Sequence, residues 1–384
     1  MRFSLNPEQQ QLSDLVQRFL DEQYDFQTRR KILDSPAGWS RQVWSKLAEL
    51  GLLALQVPEE QGGMAPAVVE TLLCVTAMGK AMLLEPYVSS AIVATALIRE
   101  LGSAQQRKEM LPAMASGDRI AVLAHLEAGA RFDLQRVDAR ARRSGSSWAL
   151  KGRKSVVLHA PAADVLLVSA RTSSEPDERG AGISLFAVPR EANGVALVPY
   201  RTLDGVCAAE VSLSDAPGAL VGEEGGALGG IALAFDYGLA AICAEAAGAL
   251  QATLDTTVEY TKTRKQFGVP IAKFQVLQHR MVEMLIHVEQ ARSMSYLAAM
   301  RAAEPPSPER RRALAAAKVV VGNACRFVGQ QAVQLHGGMG VSDETPVSHL
   351  FRRLTALEIE LGDTEHHLEQ FIAASAPEEG TERG

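Results

Sequence analysis

Cysteine and aromatic residues are scarce in this sequence, and neither sign of charge dominates it. Four cysteines are scattered over 384 residues, and aromatic residues make up 5% of the chain. This wide spacing argues against a disulfide framework or a thiolate metal site, and it favours buried thiols in a reducing compartment. The net charge of −6 comes from interspersed acidic and basic residues, which argues against nucleic acid as a main partner.

Long apolar runs are also missing from the sequence pattern. Pro7, Glu8 and several glutamines stand near the N-terminus in place of an apolar signal core. No apolar run reaches the roughly 18 residues that a membrane span needs. The sequence therefore predicts a cytoplasmic protein without a membrane span. Its 384 residues are enough for two or three domains.

Three regions of the chain differ in their hydrophobic period. Residues 1–120 repeat apolar residues at helical spacing, and residues 121–228 change to short β-rich runs separated by turns. Residues 229–376 return to long helices rich in Ala, Gly and Ser, which can pack closely in a bundle. The tail 377–384 is charged and is predicted to be flexible. The pattern predicts an α+β protein: an N-terminal helical domain, a middle β-sheet domain and a C-terminal four-helix bundle.

Individual elements follow from the same runs. The predicted strands are Trp148–Leu158, Asp164–Ala170, Ile183–Val188, Val195–Val198 and Ala208–Leu213. The predicted C-terminal helices cover 229–265, 275–303 and 308–336, followed by a shorter pair after Pro346.

The stretch 260–275 combines a helix break with groups that suit a ligand. A helix stops near Gly268 and restarts near Phe274. Arg264 offers a permanently charged fork that suits a phosphate, and Phe267 and Phe274 offer flat apolar faces beside it. This combination predicts a nucleotide site. The alternative is a helical hairpin in which Arg264 is solvated and both phenylalanines belong to the core.

A second stretch, at the end of another long helix, contains three glycines in four positions. Gln334 is followed by Gly337, Gly338 and Gly340. Glycines there let backbone amides approach a phosphate or a ribose closely. Such a run is weak support for a site when it stands alone, but it strengthens the nucleotide interpretation of the first stretch.

Together the Arg-x-x-Phe corner and the Gln-x-x-Gly-Gly run resemble the acyl-CoA dehydrogenase family over nearly the whole chain. The resemblance implies FAD as cofactor, an acyl-CoA substrate and an electron-transfer flavoprotein as electron acceptor. In the family these two motifs usually reach the adenine diphosphate portion of a neighbouring subunit's FAD. The implied cofactor-binding residues are Arg264, Gln266, Phe267, Phe274, Gln275, Gln334, Gly337 and Gly338.

The sequence departs from the family at the catalytic base. The two positions where the family carries its glutamate fall on Leu361 and Gly238. Glu245 shares the helix face of Gly238 about 10.5 Å further along and is the candidate base; the alternative is a buried structural glutamate. Glu360 is a second candidate. Glu358 is predicted to be solvated.

The cover of the flavin ring also departs from the family. A Thr-Glu-Pro phrase is replaced by Leu126-Glu127-Ala128, and a Trp-x-Thr phrase by Val156-Val157-Leu158. The hydroxyl donors and the stacking Trp are thereby lost. The run Lys151-Gly-Arg153-Lys154 is predicted to be a solvated strand entry, with contact to a CoA phosphate as the alternative.

These departures, together with the run Leu361-Gly-Asp363-Thr-Glu-His366-His367, resemble small subunits of two-component acyl-CoA dehydrogenases. That branch handles dicarboxylic or steroid side-chain thioesters. The resemblance implies a heterotetramer with a second, base-bearing subunit. A homo-oligomer, a catalytically silent FAD-clasping subunit and a flavin oxidase or oxygenase on the same fold are the alternatives. No metal site is predicted, because the histidine pair lacks partners at ligand spacing.

Overall fold

The computed structural model describes residues 5–65, 67–145, 147–173 and 181–375. The tail 377–384, which the sequence predicts to be flexible, lies outside these ranges. The chain is a mixed α and β protein in which helices precede and follow a single large sheet.

The first part of the chain is helical, as predicted. Asn6 caps the first helix through a reciprocal pair of hydrogen bonds with Gln9, and proline occupies the first turn. A π-helical segment, Tyr87–Ala94, runs directly into the fifth helix. The helices are α1 (Pro7–Gln23), α2 (Phe26–Asp34), α3 (Arg41–Glu49), α4 (Val68–Ala81), α5 (Thr95–Leu101) and α6 (Ala104–Ala115).

Seven strands then form one sheet. They are β1 (Ala121–Ala124), β2 (Arg140–Ser144), β3 (Ser147–Leu158), β4 (Val165–Arg171), β5 (Ile183–Pro189), β6 (Val195–Arg201) and β7 (Cys207–Val221). The order is β1-β4-β2-β3-β7-β5, with β6 beside β7, and β5 also pairs with β4. The hydrogen-bonded path therefore closes on itself, as in a barrel.

The five predicted strands are present, and the sequence pattern missed two. In β2 the buried Ala141 stands among exposed arginines, so the polar composition of this segment did not indicate a strand. β1 has four residues and almost no exposed face. β7 continues well beyond the predicted Ala208–Leu213 because Pro217 is tolerated within it.

The last part of the chain is a helical bundle. Helix α9 packs against α8, α10 and α11 and is its centre. The elements are α7 (Ala227–Thr263), β8 (Lys265–Gln266), β9 (Val269–Pro270), α8 (Gln275–Ala302), α9 (Pro308–His336), α10 (Pro346–Ile359) and α11 (Thr364–Ala373). The predicted helix bounds are confirmed to within two residues.

The chain divides into two compact units. One contains Met1–Cys74 and Leu83–Ala241, and the other contains Val75–Met82 and Ile242–Gly384. The second half of α4 thus belongs with the C-terminal helices. The predicted domain boundaries near 120 and 228 both fall within the first unit and stay a prediction.

Helix α7 is long and apolar enough to cross a membrane when only length and mean hydropathy are considered. More than half of its most apolar window is buried inside the protein, which is usual for a core helix. All four cysteines are buried and free.

Glu85 is an unusual buried carboxylate in the first unit. Its Oε1 accepts a hydrogen bond of 3.0 Å from Ser40 N–H, whereas Oε2 is buried and has no partner in the part of the chain that the structure describes. Burial raises the pKa of this carboxyl to about 7, although hydrogen bonds from Ser40 and Tyr24 oppose the shift.

Helices α4 and α7 approach within backbone contact in the second unit. A Cβ at Gly248 would lie 1.9 Å from the carbonyl oxygen of Thr76, and one at Gly79 would lie 2.0 Å from the carbonyl oxygen of Glu245. Two backbones can pass this closely only where neither carries a side chain.

We expect Gly248→Ala to destabilise the protein by about 1–3 kcal/mol, because a backbone carbonyl cannot move aside as a flexible side chain can. Gly229→Ala is the matched control, since it lies on the same helix and its new methyl group would meet no atom within 4 Å. That control should stabilise by up to about 1 kcal/mol through helix propensity. Denaturant unfolding of both variants measures the difference, and equal effects would contradict the close approach.

Candidate functional site

The corner between α7 and α8 is a tight hairpin with a strained tip. Gln266 of β8 pairs with Val269 of β9, which leaves Phe267 and Gly268 as a two-residue turn. Their φ angles are +54° and +81°, in the region that a type I′ turn requires. Glycine adopts such angles freely, but a phenylalanine there is strained. Strain of this kind is characteristic of ligand-contacting positions.

Two side chains of this corner face solvent. Phe267 is 91% exposed, so the alternative that placed it in the core was wrong. Its ring makes an edge contact with half-buried Phe274, with centroids 6.1 Å apart. Arg264 is exposed, and no residue described by the structure forms a hydrogen bond or ion pair with its guanidinium. Its backbone is fixed, because Ile271 N–H donates to the Arg264 carbonyl at 2.8 Å.

The glycine run at the end of α9 leaves open space. Gly337 has φ of +60°, and a Cβ at either Gly337 or Gly338 would meet no atom within 4 Å. Crowding by the described residues therefore does not require either glycine. At Gly340, in contrast, a Cβ would lie 2.6 Å from the Val333 carbonyl oxygen. The first two glycines fit a ligand approaching the backbone, and the third fits packing.

The structure brings the corner and the glycine run together. Tyr260, near the end of α7, stacks on His336, the last residue of α9, with ring centroids 4.3 Å apart. The Tyr260 hydroxyl also donates to the His336 carbonyl at 3.3 Å. Each of the three glutamines predicted to contact the cofactor is exposed: Gln266, Gln275 and Gln334.

A rigid turn contains Leu361, the position at which the sequence resemblance predicts the family's catalytic base. Leu361 has φ of +58°, which is strained for a leucine. The buried Lys318 ammonium donates to the carbonyls of Glu358 and Gly362, both at 2.7 Å, and so brackets the turn. His367 is hydrogen-bonded to the Leu361 carbonyl at 3.0 Å. The hydrogen bonds that hold the turn are all present, but the side chain at its centre, Leu361, is apolar.

Glu358 is not solvated, so that sequence prediction was wrong. Its side chain is about one-tenth exposed, and its Oε1 forms an ion pair of 3.0 Å with Arg326. The same oxygen accepts hydrogen bonds from Thr364 N–H and Oγ1, which cap the start of α11. The helical period alone could not show this, because the partners come from α9 and α11.

Glu245, the candidate base, is engaged in a buried ion pair. Its Oε1 accepts a hydrogen bond of 2.7 Å from Arg353 Nε, and both side chains are at most one-tenth exposed. Arg353 Nη1 also lies 3.4 Å from Glu360 Oε2. The Glu245 carboxylate is thus occupied by Arg353 inside the protein, and this geometry favours the structural alternative for Glu245.

Lys154 is buried in the sheet domain, so its prediction as part of a solvated strand entry was wrong. Its ammonium lies 2.6 Å from Glu127 Oε1 and is fully shielded from solvent. It also donates to Ser169 Oγ at 3.0 Å and to the His125 carbonyl at 3.2 Å. Burial lowers the pKa of Lys154 to about 8, against the opposing effect of Glu127.

A bulge in β3 turns Val156 outward. The register with β7 shifts between Lys154 and Val157, and Val156 has φ of +52°. Its side chain is 47% exposed. A β-branched residue in the left-handed region is a strong conformational outlier, and bulges commonly re-aim side chains at functional sites. Val156 is the position at which the sequence resemblance predicts a stacking Trp in the family.

His125 is a polar group that the sequence analysis did not single out. It precedes Leu126 and is 3% exposed. Its Nδ1 lies 2.9 Å from Ser169 Oγ, and its ring makes an edge contact with Phe235. Its Nε2 is buried and has no hydrogen-bond partner among the described residues. In the sequence, the only indication of this buried polar group was that a histidine directly precedes the run Leu126-Glu127-Ala128.

These residues fit the parts of FAD. The unpaired Arg264 guanidinium and the open glycines suit a diphosphate, and the exposed Phe267 ring suits an adenine. In the first unit, the outward Val156 offers an exposed apolar side chain that suits the face of a flat ring. No group of three metal-ligating side chains occurs in the ranges that the structure describes.

Three family models match the chain. They are the N-terminal domain of acyl-CoA dehydrogenase over residues 6–118, the middle domain over 123–216 and the C-terminal domain over 230–376. The mitochondrial short-chain specific acyl-CoA dehydrogenase of Mus musculus is 30% identical over 328 residues, which cover 83% of this chain and 79% of that protein.

Two solved structures extend this similarity. The ChsE4-ChsE5 complex from Mycobacterium tuberculosis has a TM-score of 0.86 and 26% identity, and the match covers 98% of this chain and 100% of that one. A variant of the steroid ACAD Tcur3481-Tcur3483 has a TM-score of 0.85 and 27% identity, covering 96% and 97%. Each of these two proteins is named after two different chains.

We expect Glu245→Gln to lower the free energy of unfolding by roughly 3 kcal/mol or more, because it leaves the buried Arg353 charge without its closest counterion. Glu360→Gln is the control, since it removes the longer contact to the same arginine. Thermal and denaturant unfolding of both variants measure the difference. A Glu245→Gln protein of native stability would contradict the structural role.

Proposed function

This chain belongs to the acyl-CoA dehydrogenase family, and we propose that it acts as one subunit of a heteromeric, FAD-dependent acyl-CoA dehydrogenase. The observation that carries the proposal is the turn at Leu361. Lys318 and His367 hold that turn in place, yet it carries no carboxylate. A second subunit of the same family that bears a glutamate on the equivalent turn would supply the missing base.

Several residues of this chain keep a role in holding the cofactor. Arg264 would bind the diphosphate through its fork, and the exposed ring of Phe267 would offer an apolar face to the adenine, with Phe274 supporting that ring by an edge contact. FAD, when bound, supplies the hydride acceptor for oxidation of the substrate. Gly337 and Gly338 would let backbone amides approach the cofactor, because no described part of the chain fills that space.

Proton removal is the step that this chain does not support. The reaction class needs a carboxylate within hydrogen-bond reach of the carbon next to the thioester. Leu361 is apolar, and Glu245 is occupied by Arg353. Glu358 is occupied by Arg326 and Thr364. These contacts favour a subunit whose own acyl pocket is silent over one with a displaced base.

An apolar face of α8 supports assembly with another subunit. Val282, Leu285 and Ile286 lie three and four positions apart, so they share one helix face. They are 54%, 43% and 51% exposed, which is a costly arrangement for an isolated chain in water. The proposed occupant of this face is the second dehydrogenase subunit. The exposed glutamines of the candidate site and Arg264 lie near the same end of the helical bundle.

The name of one relative supports a proposed substrate class, and the family resemblance supports a proposed electron acceptor. The name of the Tcur3481-Tcur3483 protein identifies it as a steroid enzyme, so a steroid side-chain thioester is the proposed substrate class. An electron-transfer flavoprotein is the proposed acceptor. A homo-oligomer that only clasps FAD is the second candidate function, and the apolar Leu361 turn is the observation that favours it.

Co-expression with a base-bearing subunit tests the proposal. We expect the chain purified alone to show no acyl-CoA-dependent bleaching of its flavin, because it lacks the base. Together with a family member encoded beside it, we expect an α2β2 assembly that bleaches rapidly. Size-exclusion chromatography with light scattering and stopped-flow absorbance at the flavin band measure both properties.

The variant Leu361→Glu shows whether the isolated chain is inactive because it lacks the base or because it does not bind the substrate. The turn is already clamped by Lys318, so a carboxylate there should yield slow substrate-dependent bleaching in the isolated chain. Rapid acyl-CoA oxidation by the wild-type chain alone would contradict the heteromeric proposal. A complex that forms but stays inactive, with an inert Leu361→Glu variant, would favour the FAD-clasping role.

We expect Arg264→Ala to weaken FAD binding by about 10- to 150-fold, which corresponds to the roughly 1.5–3 kcal/mol of a charge-assisted hydrogen bond. The helices should remain folded, because the side chain has no partner among the described residues. Lys262→Ala removes the same charge two residues away and serves as the control. Titration of flavin fluorescence measures affinity, and equal affinities would remove the corner from the cofactor site.

A further inference from the structure

The outer face of the sheet carries four exposed cations on two neighbouring strands. β2 contributes Arg140 and Arg142, and β3 contributes Lys151 and Arg153. None of the four side chains forms a hydrogen bond or an ion pair with a residue that the structure describes. We call these four residues the cationic face.

The pairing of the two strands sets like charges against each other. Arg140 lies directly opposite Lys151, and like charges at opposed positions destabilise a sheet. Arg143, also on β2, is neutralised instead: its guanidinium pairs with Glu224 at 2.9 Å and lies over the ring of Trp148. The fold therefore compensates one arginine of this strand, whereas the described chain supplies no counterion to the cationic face.

Hydroxyl groups of the next strand extend this face. In β7, Ser214 lies opposite Lys151 and Ser212 lies opposite Arg153. Opposed residues of paired strands point to the same side of a sheet, so both hydroxyls share the outer face with the cations. Neither serine Oγ forms a hydrogen bond within the described ranges. The six side chains together offer hydrogen-bond donors and no negative charge.

The acidic residues around this face do not neutralise it. Glu210, further along β7, accepts hydrogen bonds from Val156 N–H at 3.2 Å and from the Tyr200 hydroxyl at 3.4 Å. Asp138 and Asp215 are exposed nearby, and neither forms an ion pair with the four cations in the part of the chain that the structure describes. The donors of the face thus remain open to an external anionic group.

The arrangement of these donors favours a protein partner over a small anion. Neighbouring strands lie about 4.8 Å apart, so donors on three strands spread over about 10 Å. Small phosphorylated ligands such as CoA bind in concave sites where donors converge. Val198 of β6 lies opposite Glu210 and is 64% exposed, which adds an apolar group to the same outer face. Arginines beside apolar groups are typical of protein interfaces.

The charge of the whole chain disfavours a nucleic acid or an anionic membrane. The chain carries a net charge of −6, and hence −10 without these four cations. A polyanion is attracted through the summed field of a protein, which is unfavourable here. Carboxylates of a docked protein interact within the Debye length of about 8–10 Å, where the local cations dominate.

We propose that the cationic face, together with Ser212 and Ser214, is a docking surface for a protein partner that presents a cluster of carboxylates. Three of the four cations are arginines, whose planar forks bind a carboxylate through two hydrogen bonds. The inference goes beyond the proposed function and does not depend on it, because neither FAD binding nor the supply of a base involves these residues.

Binding of a designed acidic peptide to the full chain tests the surface. The probe is a fluorescent peptide of about ten residues with glutamate at every second position, because a strand then presents its carboxylates on one side about 7 Å apart. A peptide of the same composition with consecutive glutamates is the control. We expect the alternating peptide to bind more tightly by fluorescence anisotropy, and its affinity to fall as salt rises.

Charge reversal locates the bound peptide. The double variant Arg140→Glu, Lys151→Glu should weaken binding by about tenfold or more, because it replaces two attractions with two repulsions. The double variant Lys108→Glu, Arg119→Glu is the matched control, since it changes the net charge equally at exposed positions outside the seven strands. Its affinity should stay within about twofold of the wild type.

The single variant Lys151→Glu separates loss of binding from loss of folding. It turns the repulsion between positions 140 and 151 into an attraction, so we expect a higher thermal midpoint than in the wild type together with weaker peptide binding. A lower midpoint would mean that Lys151 has a structural role and would overturn the proposal.

A photo-reactive residue in place of Ser214 identifies the partner in the organism that produces the chain. We expect mass spectrometry to find one protein cross-linked through a segment rich in Asp and Glu, and the Arg140→Glu, Lys151→Glu variant to lose that product. Cross-links to nucleic acid or lipid would overturn the proposal. So would displacement of the peptide by coenzyme A, or equal peptide affinity in the two double variants. Each of these results would leave the proposed function standing.

Discussion

Charge that is buried must be paired, and this constraint determines the chain path at both altered parts of the candidate site. The ammonium of Lys318 is almost fully buried, so the carbonyls of Glu358 and Gly362 must turn toward it. That requirement sets the conformation of Leu361 between them. In the sheet domain, buried Lys154 requires Glu127 and Ser169, and Ser169 then fixes His125. In each case the hydrogen bonds of one buried lysine fix the conformation of a neighbouring segment of the candidate site.

Backbone strain is concentrated at residues of the candidate site. Phe267, Val156 and Leu361 are three of the seven non-glycine residues with positive φ in the described ranges. Each stands at a cofactor or base position that the family resemblance implies. Strained angles persist only where surrounding contacts over-determine them. Two hairpin strands hold Phe267, a bulge beside β7 holds Val156, and the Lys318 clamp holds Leu361.

The sequence predicted the parts of the fold that depend on local pattern. Helical period, glycine breaks and turn residues located the C-terminal helices and the Arg264 corner, because those signals act within a few residues. Side-chain environments were harder to predict, since they depend on distant partners. Lys154 and Glu358 look solvated in a one-dimensional pattern, but their counterions come from other strands and helices. The buried chain of hydrogen bonds from Glu127 through Lys154 and Ser169 to His125 joins residues far apart in sequence, and no local motif encodes that arrangement.

Glu85 links folding of the first unit to proton uptake. Its folded-state pKa of about 7 lies above the ordinary value of 4.5, so between these two pH values the folded chain binds a proton that the unfolded chain has lost. The contribution of Glu85 to stability is therefore greatest below about pH 4.5, falls as pH rises to about 7, and is constant above that. The difference amounts to about 3 kcal/mol at 1.36 kcal/mol per pKa unit. At alkaline pH, this segment beside Pro86 carries a buried anion whose second oxygen lacks a partner among the described residues, which favours local opening there.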